Sequence, residues 1–233
     1  MTPYYQDSLV TIWHGDCREV LPTIRESVAL LLTDPPYGVS ERTDRASKGR
    51  GNLAACNDFP PVLGDDKPFD PSHLLAYKPA VIFGANHFCD RLPPSPSWIV
   101  WDKLDGLRTD KRMIGFDDNA DCEIAWSNVG GPARLVAHQW KGMIRASERT
   151  EHRVHPTQKP VVLFRRLIAA LALPSGVVLD PYLGSGTTLR ATKDLGRRAI
   201  GIEIEERYCE IAAKRMAQEV LFSDASEARK SCM

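Results

Sequence analysis

The run from Gly176 to Ile204 constrains this chain more than any other. It opens with the apolar tetrad Gly176-Val-Val-Leu179 and passes through Asp180-Pro-Tyr-Leu-Gly-Ser-Gly-Thr-Thr188. A helical pattern follows over Thr187–Leu195, which Gly196 can cap, and Ala199-Ile-Gly-Ile-Glu-Ile204 closes the run. Strand, glycine loop, helix and strand in that order make a βαβ unit, which commits the chain to parallel pairing under a covering helix. The same rhythm recurs upstream. Val28–Thr33, Ala80–Phe83, Trp98–Trp101 and Cys122–Trp126 read as strands, and Asn86–Leu92, Val161–Leu173 and Glu205–Val220 as helices. Arg134–His138 reads as an antiparallel edge strand. The expected fold is α/β, a mostly parallel twisted sheet with helices on both faces, in a single domain over residues 1–233. Residues 38–71 and 127–154 break the rhythm. The first stretch, Gly38–Pro71, is too long for a plain connector and reads as a mobile functional loop.

Composition excludes several classes. Lys+Arg and Asp+Glu number 30 each, so a globally basic nucleic-acid binder is ruled out, although a local basic face is not. The longest apolar runs, such as Val28–Leu32 and Leu167–Leu173, are too short to span a bilayer, so no membrane partner is expected. The N-terminus lacks the basic and apolar regions of a secretion signal. The 6 cysteines include no C-x-x-C pair, which argues against a cysteine-built zinc site and for free thiols in a cytoplasmic setting.

The glycine loop narrows the chemistry. A phosphate-binding P-loop requires Lys after its last Gly, and Thr187 follows Gly186; a dinucleotide loop requires a third Gly where Leu189 stands. A nicotinamide oxidoreductase is therefore disfavoured. What remains is a nucleoside-type pocket, with Glu203 at the end of the next strand, where an open α/β sheet places an acid on ribose hydroxyls. A glycine-containing βα turn beside an incidental acid is the rival account of this loop taken alone. The second marked turn is Thr33-Asp-Pro-Pro-Tyr-Gly38. Two prolines remove two backbone donors and fix two φ angles, so carbonyls are presented rigidly as acceptors beside the Asp34 carboxylate. Such an acceptor-only pocket suits an amino group, and Tyr37 offers a flat face on which a base can stack.

Together, the two turns resemble the amino-group DNA methyltransferases that use S-adenosylmethionine, in the motif order of their permuted beta group. His155-Pro-Thr-Gln-Lys-Pro160, Gly15-Asp16 and Gly201-Ile-Glu-Ile also match that family, and the likeness runs from about Leu9 to Arg215. Tyr182 stands where the family often has Phe. The resemblance implies a Rossmann-like domain that transfers a methyl group to the exocyclic amine of a flipped-out base in double-stranded DNA. Asp34, Pro35, Pro36 and Tyr37 would be catalytic. Asp180, Tyr182, Gly184, Ser185, Gly186, Thr187, Thr188, Glu203, Asp16, His155, Thr157 and Lys159 would serve the cofactor, Lys159 by meeting its methionine carboxylate. No metal is required.

The Asp-Pro-Pro-Tyr form is more typical of the adenine-N6 enzymes than of the cytosine-N4 enzymes, which remain the alternative together with a catalytically silent DNA-binding module. The basic residues Lys141, Arg145, Arg149 and Arg153, with Arg42, Arg45 and Lys48 of the long loop, are the candidate phosphate contacts. Trp140 is a further candidate, and residues 127–154 are the candidate target-recognition insertion. That insertion is short, which is compatible with a homodimer. The family also implies a separately encoded restriction nuclease as a possible partner.

Overall fold

The structure is a computed structural model that describes residues 2–40, 59–105, 120–141, 144–148 and 154–218. In chain order its elements are β1 (Tyr5–Gln6), β2 (Val10–His14), α1 (Cys17–Val20), β3 (Val28–Thr33), β4 (Ala80–Phe83), β5 (Trp98–Asp102), β6 (Cys122–Ser127), β7 (Arg134–Ala137), β8 (Trp140–Lys141), β9 (Ile144–Arg145), α2 (Val161–Leu171), β10 (Val177–Asp180), α3 (Thr187–Asp194), β11 (Ala199–Glu203) and α4 (Glu206–Ala217). They gather into two compact units, each assembled from separate stretches of chain.

The first unit comprises Met1–Asp34, His73–Ala80 and Val161–Met233. Its strands lie in the order β1-β2-β11-β10-β3. β1 is antiparallel to β2, and the remaining pairings are parallel. The reason is visible in the side chains. β10 and β11 are buried at every position and β3 at all but its first, as strands covered on both faces must be. On β2 and β11, Val10, Ile12 and Ala199 pack with Leu189 of α3 and with Cys209, Ala212 and Met216 of α4. α2 buries Leu163, Phe164, Leu167 and Ile168 while Arg165 and Arg166 stay exposed. It stops two residues short of the expected Leu173, whose amide donates instead to the Ala29 carbonyl at 2.9 Å.

The second unit comprises Pro35–Ser72 and Val81–Pro160. Here β4 and β5 both run antiparallel to β6, and β7 is parallel to β5. The mostly parallel sheet expected for the chain thus describes the first unit and not the second. β7 is also not the antiparallel edge expected of it. The chain reverses between β5 and β6 and again before β7, so β7 runs with β5 along its other edge. Asn86–Leu92 is not one helix either. Two 3₁₀ turns, Ala85–His87 and Cys89–Arg91, are separated by Phe88, a fully buried residue with φ −141° and ψ 30°. Among the described residues no helix is long and apolar enough to cross a membrane.

Candidate active site

β3 and β10 are neighbouring parallel strands, paired at Leu31 with Leu179, and they end on the two marked turns. Thr33, the last residue of β3, donates its hydroxyl to the Asp180 carboxylate at 2.7 Å. Asp34 follows immediately, close enough that its charge raises the pKa of Asp180. From β10 the chain proceeds to β11, whereas β3 is bonded to the 73–80 segment through the Leu31 amide and the Pro79 carbonyl. The acidic end of the Pro-Pro turn and the glycine loop therefore sit together where connections diverge, the place at which open α/β sheets bind ligands.

The loop acids turn inward. Asp180 accepts from Thr33, from the Thr188 hydroxyl at 2.5 Å and from the Tyr182 amide at 3.1 Å. Glu203 accepts from the Gly184 amide at 2.7 Å and the Glu205 amide at 2.8 Å. Ser185, Thr187 and Thr188 are buried, and Arg215 reaches the Ser185 carbonyl and the Thr187 hydroxyl. The Tyr182 hydroxyl lies 2.9 Å from His73 Nε2, a use for the oxygen that a Phe at this position would lack. Asp16 caps α1, and Glu203 also accepts the Gly15 amide through its own carbonyl. At Gly186 the missing side chain serves packing against α4. A Cβ there would meet the Ala212 Cβ on α4 at 3.0 Å, and its φ is +85°. The missing side chain lets the loop close on α4, so Gly186→Val is expected to lower the melting temperature rather than block entry to a pocket.

Burial pushes the Asp180 carboxyl up to about 6, against hydrogen bonds from Thr188, Thr33 and Tyr182 that favour its charged form. The native chain keeps this proton at pH values where an unfolded aspartate, with its ordinary value of 3.8, has lost it. Its contribution to stability therefore falls as pH rises from about 4 to about 6. Asp180→Asn does not titrate. In urea unfolding it is expected to cost less stability at about pH 8 than at about pH 4. An equal cost at both would remove Asp180 as the titrating group.

In the second unit the turn continues through buried Pro35 to Tyr37. The Tyr37 ring stacks on His87 at 5.1 Å between centroids and 12° between planes, and it accepts a hydrogen bond from Lys159 Nζ at 3.2 Å. Asp65, which nothing in the sequence marked, holds the exit of the turn by accepting the Gly38 amide at 2.8 Å. His155 and Thr157 are near neighbours through the His155 Nδ1 atom. Lys159 is buried and ion-paired with Glu123 Oε2 at 3.2 Å, so its ammonium is engaged by protein groups rather than presented to a carboxylate ligand.

The basic candidates divide. Lys141 is buried and paired with Asp121 at 2.6 Å. Arg145 is buried with its guanidinium 4.9 Å from the Trp140 ring centre, and Trp140 itself is buried. These three form the folded base of the β8–β9 hairpin, and their placement does not offer them to phosphates. Arg42, Arg45, Lys48, Arg149 and Arg153 lie outside the described residues. Two further residues escaped sequence reading: His87, which shares the stack with Tyr37, and Ile204, an apolar side chain 47% exposed directly after Glu203.

The first unit is an α/β arrangement of the Rossmann-like class, with Asp34 and the glycine loop at the carboxyl ends of neighbouring strands. A family model described as DNA methylase, N6_N4_Mtase, matches residues 97–214, and the chain belongs to that family. It is 27% identical to the Type II methyltransferase M.ScaI of Streptomyces caespitosus, over 93% of this chain and 84% of that protein. Among solved structures, the M1.HpyAVI–SAM complex superposes with a TM-score of 0.53 at 23% identity, covering 90% of this chain and 100% of that one. The PvuII DNA methyltransferase (cytosine-N4-specific) gives a TM-score of 0.56 at 16% identity, covering 98% and 93%. These two likenesses establish the fold.

Proposed function

We propose that this chain methylates the N6 amino group of adenine in double-stranded DNA, with S-adenosyl-L-methionine as the methyl donor. The observation that carries the reading is the meeting of Asp34 and Asp180 at the carboxyl ends of two paired parallel strands. The residues present fit such a donor. Gly184 and Gly186 turn through left-handed φ, and the Glu203 carboxylate is fixed at the end of β11 with Ile204 beside it. The acid suits ribose hydroxyls and the apolar side chain suits a purine ring. When bound, the donor supplies an electrophilic methyl on a sulfonium.

The chain's own residues prepare the amine. Its lone pair is conjugated into the base and is a poor nucleophile. Asp34 and the Pro35 carbonyl accept its two hydrogens, which draws the nitrogen towards a tetrahedral shape and aims the lone pair at the methyl. The bound donor would supply the methyl group to this nitrogen, leaving as a neutral thioether, and Asp34 or water would take the proton that the nitrogen sheds. In-line placement supplies much of the acceleration. The base is flipped from the duplex and stacks against Tyr37. Aspartate at the first position of the turn favours adenine over cytosine. The type II designation of the M.ScaI relative points to a protective role against a separately encoded nuclease.

Incubation of the purified chain with methyl-labelled donor and unmethylated DNA, followed by nucleoside analysis, tests the reading. Label in N6-methyladenine is expected. Label in N4-methylcytosine would transfer the assignment to cytosine. DNA binding with no label would leave a silent binding module.

A further inference from the structure

Lys159 belongs to the segment whose family resemblance assigns it to the cofactor, yet its surroundings describe a different task. Its Nζ donates to the Tyr37 oxygen at 3.2 Å and lies 5.7 Å from the Tyr37 ring centre and 5.9 Å from that of Phe83. On its other side is Glu123 Oε2 at 3.2 Å, and Glu123 Oε1 accepts from Lys103 Nζ at 2.7 Å. Lys159 is 7% exposed, Glu123 20% and Lys103 14%. A buried ammonium is costly unless paired, and Glu123 provides the pairing. An ammonium has no acceptor lone pair, so the phenol oxygen must accept. The ring is bounded further by His87, stacked in parallel, and by Gly84, where a Cβ would fall 1.9 Å from Tyr37 Cε1. Three elements thus converge on one aromatic plane: the end of the Lys159 segment, the turn after β4, and β6 through Glu123.

We propose that Lys159, held by Glu123, is a positioning residue that fixes the Tyr37 ring as a preset stacking platform before a base arrives. The inference rests on the proposed function, in which Tyr37 stacks on the flipped base. A mobile ring must be ordered when the base binds, whereas a ring already fixed spares that entropy, so the gain falls on the step that takes up DNA. The methionine carboxylate is not the partner this assigns to the ammonium.

A double-mutant cycle separates the two roles. Lys159→Met and Tyr37→Phe are each expected to lower kcat/KM for DNA about tenfold, the scale of a charge-assisted hydrogen bond, and to leave donor affinity within about twofold. In the Tyr37→Phe background, Lys159→Met is expected to cost almost nothing further. Equal losses of Lys159→Met in both backgrounds, or a matching loss of S-adenosylmethionine affinity, would overturn the proposal. Tyr37→Phe removes a single oxygen and keeps the test decisive if Lys159→Met does not fold, because full activity in that variant would also overturn it. A readout independent of methyl transfer comes from the Tyr37 ring resonances in the DNA-free protein, identified by their absence in Tyr37→Phe. They are expected to shift in Lys159→Met; unchanged resonances would sink the proposal. If the unsubstituted chain transfers no methyl group while these resonances shift, the proposed function fails and the positioning role stands.

Discussion

Asp34→Ala is expected to lower methyl transfer by at least about a hundredfold while leaving donor affinity within about twofold. The size follows from what the carboxylate does. It accepts a hydrogen of a conjugated amine and then faces the cationic nitrogen that forms as the methyl arrives. Both interactions strengthen in the transition state, so their loss falls on kcat rather than on binding. The structure adds a control. Asp34 is a like charge acting on buried Asp180, and removing it lowers one cost of keeping that second carboxylate charged. The substitution is therefore expected to let Asp180 lose its proton at a lower pH. Transfer at the unsubstituted rate would take Asp34 out of the reaction. A lost rate with a lowered melting temperature would mean that the turn, and not the carboxylate alone, had been damaged.

The strands that carry this turn were legible because they are uninterrupted apolar runs. Val28–Thr33 and Ala80–Phe83 match β3 and β4 residue for residue. β2 was not foreseen. Val10-Thr-Ile-Trp-His14 buries only alternate side chains and carries a polar residue between its two buried ones, so it reads as surface until β11 is placed beside it. The direction of β7 was equally hidden, since it is set by two reversals of the chain and not by any property of Arg134–Ala137.

The site divides along the same line. Asp34 and Asp180 could be placed because Asp180 ends a strand and Asp34 directly follows one, and strand ends share a rim in a parallel sheet. The partners of their neighbours could not be read. Glu123 sits in mid-strand without a motif, yet burial pushing its carboxyl up is outweighed by Lys159 and Lys103, which hold it at about 2. Lys159 reads as a ligand-binding cation because its motif says so, and only proximity reveals that Glu123 and Tyr37 already engage it. The glycine at position 186 announced a turn, but what fills the space beside it is Ala212 on a helix some distance along the chain.

Gly84 is where a single methyl group is expected to do most harm to the stacking platform. Its φ is +69°, and a Cβ built on it would lie 1.9 Å from Tyr37 Cε1, 2.2 Å from Cδ1 and 2.5 Å from Cζ. No non-bonded carbon approaches another so closely, so the ring must leave. Its departure breaks the bond to Lys159 and the stack on His87. Gly84→Ala is therefore expected to cost about 1–2 kcal/mol for the left-handed backbone and a further 1–3 kcal/mol, approximately, for overpacking, with kcat/KM for DNA falling further than in Tyr37→Phe. The two costs separate when the ring is removed. In a Tyr37→Ala background there is no ring to strike, and only the backbone cost is expected to remain in the change of unfolding free energy. An identical destabilisation in both backgrounds would show that Gly84 answers to its dihedral angle alone. A smaller one in the ring-less background would identify close contact with Tyr37 as the reason this turn tolerates no side chain.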